Sequence, residues 1–230
     1  MATFVVAHGA WSAGWVWKKM RPLMRERGHE LFTPTYTGVG ERAHLANPDI
    51  DLELHIADIL GVLEMEDLTH VNLIGHSYGG MVATGVADRA RTRIAKLIYL
   101  DAFAPQDGEA LLDLVSAEMR AQRGAGADGW RIPPTPMPPD TPPEDVAWCK
   151  PRRLPQPAKT FAQKLHMQNG PLTLPRHYIY CTRTSPDDRF GPFYARAKCE
   201  GWGVDEIDSS HNPHVTCPEV LMKQLERAAS

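Results

Sequence analysis

Ser77 is the residue of this 230-residue chain whose surroundings best suit covalent chemistry. It lies in Gly75-His76-Ser77-Tyr78-Gly79, a Gly-x-Ser-x-Gly pattern with an apolar run before it (Val71, Leu73, Ile74) and a helical pattern after it. At a strand-to-helix junction this pattern folds into a nucleophile elbow, which holds the serine at the end of a sheet. The glycines are needed because a side chain there would strike the neighbouring strand or helix. A serine hydroxyl attacks a carbonyl carbon only once a base takes its proton. His211 fits that role, in a polar loop between the final strand pattern and the final helix, with His214 as a competitor nearer the helix start. A carboxylate that fixes the histidine tautomer is expected after the strand ending at Cys181. Asp187 is the first choice there and Asp188 the alternative. Asp101, after the strand that follows the elbow helix, is a third candidate, read in preference as a cap near the pocket floor. The oxyanion of a tetrahedral intermediate needs two backbone donors, expected from Tyr78 and from Ala10 in the loop His8-Gly9-Ala10-Trp11. Trp11 is expected in the substrate pocket, Trp15 and Trp17 in the core of a first helix, and His8 and His76 in structural roles.

These groups need a scaffold, and the apolar periodicity supplies one. Phe4–Ala7 is a short continuous apolar run suited to a strand buried on both faces. A helical pattern covers Gly14–Glu26 and stops at Gly28, and His29–Pro34 reads as a second strand. Tyr36–Pro48 reads as loop, Leu54–Glu66 as helix, and Ile94–Leu100 as the strand after the elbow helix. His177–Cys181 and Val204–Ile207 read as later strands, with helices over Phe193–Cys199 and Pro218–Ala228. Alternation of strand and helix predicts one α/β domain over 1–230 with a mainly parallel sheet. From Phe103 to about Leu165 the rhythm breaks, with a helical piece at Leu111–Arg120, a Gly/Ala-rich stretch, and a proline-dense run at Ile132–Pro143. Such a run cannot be a central strand or a long helix. Residues 103–165 are therefore expected to form a cap or lid over the C-terminal edge of the sheet.

Composition narrows the function. With 43% hydrophobic and 23% charged residues the chain reads as an ordinary globular protein, and a net charge of −3 argues against nucleic acid as a partner. The strongest basic cluster, Lys150-Pro151-Arg152-Arg153, reads as a solvated loop. The four cysteines are widely spaced, which argues against a disulfide framework or a zinc site. No metal or nucleotide motif occurs, so no cofactor is expected. No apolar run reaches about 18 residues and the N-terminus carries no signal-peptide pattern, so no membrane partner is expected and the location is read as cytoplasmic. Oligomeric state is not legible in the sequence; a homodimer is one arrangement open to it.

On these residues the chain resembles the small α/β hydrolases that include plant methylesterases and hydroxynitrile lyases, with their bacterial esterase relatives. The resemblance rests on His8-Gly9-Ala10-Trp11, Thr37-Gly38-Val39-Gly40-Glu41-Arg42, Gly75–Gly80, Asp101-Ala102-Phe103 and Ser210-His211, in that order. It implies an α/β-hydrolase fold, with a six-stranded, mainly parallel sheet flanked by helices and a small cap after the sixth strand of the family numbering. It also implies a serine hydrolase, carboxylesterase-like, that opens esters of small or aromatic acids through an acyl-enzyme. A lyase is disfavoured, because Asn212 stands where the hydroxynitrile lyases carry a lysine. A non-catalytic small-molecule binding protein or receptor on the same fold is the other alternative.

Overall fold

A computed structural model describes residues 1–122, 126, 128–184 and 188–230, except the side chain of residue 122. Six strands make the main sheet: β1 (Thr3–Ala7), β2 (Glu30–Phe32), β3 (Val71–His76), β4 (Ile94–Leu100), β7 (Arg176–Cys181) and β8 (Gly203–Ile207). Their order is β2-β1-β3-β4-β7-β8, and every neighbouring pair runs parallel. Two two-residue strands, β5 (Arg131–Ile132) and β6 (Gln156–Pro157), pair antiparallel apart from it. The helices are α1 (Met20–Glu26), α2 (Leu52–Met65), α3 (Gly79–Arg89), α4 (Ala117–Gln122), α5 (Pro143–Cys149), α6 (Lys159–Ala162), α7 (Gly191–Cys199), α8 (Pro213–Thr216) and α9 (Pro218–Ala229). The expected α/β-hydrolase architecture is the one observed.

Strand alternation explains why helices cover both faces. Val5, Ala7, Leu73, Leu97, Tyr99 and Tyr178 pack with residues of α2 and α3, such as Ile56, Ile59, Val82 and Val86. Phe4, Val6, Ile74, Ile98, Ile179 and Ile207 form a second core with Met20, Met24, Leu221 and Leu225 of α1 and α9. β3 is buried along its whole length, and so is most of α3. Each large aliphatic side chain in these layers is worth about 2–5 kcal/mol against truncation to alanine.

Local structure departs from the sequence reading in places where chemistry other than periodicity decides. The first helix splits into a 3₁₀ turn at Gly14–Trp17 and α1, and the loop after β2 contains a 3₁₀ stretch at Gly40–Leu45. Asp51 caps α2 by accepting the Leu54 N–H at 3.0 Å, which starts that helix two residues before its expected first apolar position. Between β4 and β7 the chain carries α4, α5, α6 and the β5–β6 pair, with Pro143 at the first position of α5, where a missing N–H costs nothing.

Candidate active site

β3 delivers Ser77 by running straight into a reversal of the backbone. Ser77 has φ 56°, Gly80 N–H donates to its carbonyl at 3.0 Å, and α3 begins two residues later. The glycines are required by distance. A Cβ on Gly79 would lie 1.9 Å from the Ala7 carbonyl oxygen, and one on Gly80 would lie 1.9 Å from that of Phe103. Gly9 is held off by the elbow itself, since its Cβ would come 2.9 Å from His76 Nδ1 and 3.2 Å from Ser77 Cβ. The loop after β1 therefore runs directly beside the serine.

His211 lies between β8 and α8 and lines the same cavity as Ser77. Its Nδ1 stands 2.7 Å from Asp101 Oδ2, so Nδ1–H donates to the carboxylate and Nε2 is left as a proton acceptor. Phe190 stacks on the ring at 4.9 Å and 7°. His76 reaches the same loop from β3, with its Nε2–H donating to the His211 carbonyl at 2.8 Å. Burial drives the His76 pKa down to about 3, so the side chain is a neutral strut between the elbow and the histidine loop. His214 also lines the cavity but is stacked on Trp17 at 4.7 Å, and burial holds its ring well below the ordinary histidine range.

Asp101, read from sequence as a floor cap, has a second contact, to His211. Asp101 does accept the Cys181 N–H at 3.2 Å, but its other oxygen faces the histidine. Its φ of 42° bends β4 so that the carboxylate turns toward the β7 and β8 loops. Burial pushes its pKa up to about 7, against the lowering effect of the Cys181 N–H. Asp187 lies outside the described residues. Asp188 accepts from the Tyr180 hydroxyl at 2.9 Å and from the Gly191 N–H at 3.0 Å.

A model of the alpha/beta hydrolase family matches residues 4–224. The chain belongs to the alpha/beta hydrolase family. It is 38% identical to a carbendazim hydrolyzing esterase of Nocardioides sp. (strain SG-4G), covering 98% of each chain. It is 26% identical to the pFDCC methylesterase MES16 of Arabidopsis thaliana, covering 99% of this chain and 94% of the relative. Among solved structures it resembles an extracellular alpha/beta-hydrolase from a Paenibacillus species, with a TM-score of 0.87, 25% identity and 99% of each chain covered. That protein is described as sharing structural and functional homology with tobacco salicylic acid binding protein 2.

In this alpha/beta hydrolase Ser77 and His211 open onto a cavity of about 720 Å³. Ala10 and Tyr78 also line it, and neither backbone N–H donates to a protein acceptor among the described residues. Trp11 is in the cavity wall, and so is Trp15, which the helical spacing had assigned to core, while Trp17 is fully buried. Residues 103–165 supply Phe103, Leu111, Met137 and Phe161 to the lining.

The sequence reading missed the residues that tie this segment to the loop after β1. Trp11 N–H donates to Gln156 Oε1 at 3.3 Å, and the Trp11 indole N–H donates to the Ile132 carbonyl at 2.9 Å. Gln156 is fully buried and passes a second hydrogen bond, 2.9 Å long, to the Thr160 hydroxyl. The buried Tyr78 hydroxyl lies beside Thr160 and donates to His55 Nδ1 at 2.9 Å. No motif marks Gln156; its partner is 145 positions away. Among the described residues no cluster of side chains could hold a metal ion. No described helix is long and apolar enough to cross a membrane.

Proposed function

We propose that the protein is a serine esterase that opens carboxylic esters of small or aromatic acids through an acyl-enzyme on Ser77. The observation that carries this reading is a serine on a left-handed strand–helix turn sharing one cavity with a histidine whose Nδ1 is paired to a buried carboxylate at 2.7 Å. The esterase names of the relatives support the reaction class. Ser77 Oγ attacks the ester carbonyl carbon while His211 Nε2 takes its proton. The oxyanion is held by the Ala10 and Tyr78 N–H groups, and His211 returns the proton to the departing alcohol. Water then attacks the acyl-enzyme by the same relay and frees the acid. Asp101 is the orienting carboxylate in this scheme, in place of Asp187 or Asp188. Residues 103–165 act as the cap, and their aromatic lining selects flat substrates. The free cysteines Cys149, Cys181, Cys199 and Cys217 suit the cytoplasm.

The test is a fluorophosphonate label followed by turnover of short 4-nitrophenyl esters. Label on Ser77 and a loss of activity of about 10⁴-fold or more in Ser77→Ala are expected. Full activity in Ser77→Ala would overturn the reading. Stoichiometric label with turnover below about one per minute would make the protein a binder instead of an enzyme.

A further inference from the structure

Arg153 is a charged side chain of the cavity that the proposed mechanism does not use. It lines the cavity and is half-buried, while its neighbours Lys150 and Arg152 are exposed. The guanidinium carbon stands 5.9 Å from the centre of the Trp11 ring. One N–H group donates to the Thr135 carbonyl in the proline-rich run. No carboxylate among the described residues lies within ion-pair distance of it, and burial lowers its pKa, offset only in part by the nearby Cys149 thiol.

The other charged groups of the cavity are matched by their own loops. Asp101 faces His211, and Asp188 is bonded to Tyr180 and Gly191. Asp140 accepts the Ser210 N–H at 3.2 Å and lies 3.8 Å from Arg183, which is itself paired to Asp208 at 2.8 Å. Arg189 lies over the Phe190 ring at 6.0 Å. These contacts gather on the histidine side of the cavity. Arg153 stands against Trp11, the tryptophan that follows Ala10.

An arginine has five N–H donors, and the Thr135 carbonyl accepts from one nitrogen. A planar cation over an indole in a largely apolar cavity matches the geometry of a carboxylate on an aromatic ring. We propose that Arg153 and Trp11 form an anion-recognition subsite, and that the substrates of this hydrolase are aromatic esters carrying a second, free carboxylate that docks on Arg153. The inference rests on the acyl-transfer reading for the ester and on Arg153 for the anion.

Two substrate pairs test it: 4-nitrophenyl benzoate against mono-4-nitrophenyl terephthalate, and phenyl acetate against 4-carboxyphenyl acetate. The quantity read is the ratio of kcat/KM, anionic over neutral, in wild type, Arg153→Met and Arg153→Lys. A charge-assisted bidentate contact corresponds to a fall of about tenfold or more in one pair for Arg153→Met, with partial retention in Arg153→Lys. A ratio that moves less than about twofold in both pairs overturns the proposal. Arg153→Gln serves should Arg153→Met fail to fold. If wild type opens none of these esters, acyl transfer fails while the subsite stays testable by tryptophan fluorescence on Ser77→Ala. Terephthalate then binds about tenfold more weakly once Arg153→Met is added, and equal affinity overturns the subsite.

Discussion

The sheet edge and the segment over it place their residues by different physics. At the ends of β1, β3 and β4, backbone atoms do the positioning, and the approach is so close that a single added carbon at Gly79 would collide with a carbonyl at 1.9 Å. Over residues 103–165, side chains do it, through Lys19 to Asp145, Gln156 to Trp11, and Gln163 to Asp51. Backbone placement has little tolerance, and it holds Ser77 and the loop after β1. Side-chain placement can be re-made one contact at a time, so the same sheet can carry covering segments of different shape.

The largest test of this contrast is steric. Gly79→Val should abolish soluble folded protein, a loss exceeding about 4 kcal/mol, whereas Gly28→Ala should cost only about 1–2 kcal/mol. Gly28, unlike Gly79, has positive φ, but nothing lies within 4 Å of its missing Cβ. Thermal unfolding distinguishes the two. Next comes the acid. Asp101→Asn should lower kcat by about 10³–10⁴-fold and Asp187→Asn by less than tenfold, by analogy with removal of a triad carboxylate; the reverse order would return the acid to the loop after β7.

The pH dependence follows from the same carboxyl. Its folded pKa of about 7 exceeds the ordinary value of 3.8, so the folded state holds the proton more tightly. Wild-type stability attributable to Asp101 is full below pH 3.8 and is lost as pH rises through 7, so Asp101→Asn should gain in Tm relative to wild type from pH 4 to pH 8. Activity runs the other way and should rise as pH passes about 7, because a protonated Asp101 carboxyl is a poor acceptor for the His211 Nδ1–H.

Smaller effects belong to the segment over the sheet. Gln156→Leu should lower kcat by about tenfold by loosening the turn at Trp11, and affinity for a trifluoromethyl ketone should fall in parallel. Lys19→Met leaves Asp145 buried without its partner at 2.6 Å and should cost about 1–2 kcal/mol, read as a Tm shift with kcat retained.

The contrast also explains what was legible in the sequence. Apolar period and glycine placement encode backbone positioning, so the strands around Ser77, the elbow and the position of His211 could be read directly. Side-chain positioning leaves no local pattern. Asp101 meets a histidine 110 residues away, and a strand-end aspartate that caps looks the same in sequence as one that orients a base. Arg153 stood in a basic cluster read as a solvated loop, and only the fold separates it from exposed Lys150 and Arg152. Trp15 kept helical spacing, yet the helix had already broken into a 3₁₀ turn there.

Among the described residues five non-glycine side chains have positive φ, and three of them, Trp11, Ser77 and Asp101, stand at the ends of neighbouring strands around one cavity. Each holds about 1–3 kcal/mol of backbone strain that the buried sheet must offset. Selection for heat resistance alone would therefore favour glycine at Asp101, whose buried carboxyl also costs stability once ionised, and would erode activity as it proceeded, whereas at Trp11 the buried indole outweighs the strain. A variant library ranked by melting temperature would in this way draw the outline of the cavity with no substrate in hand.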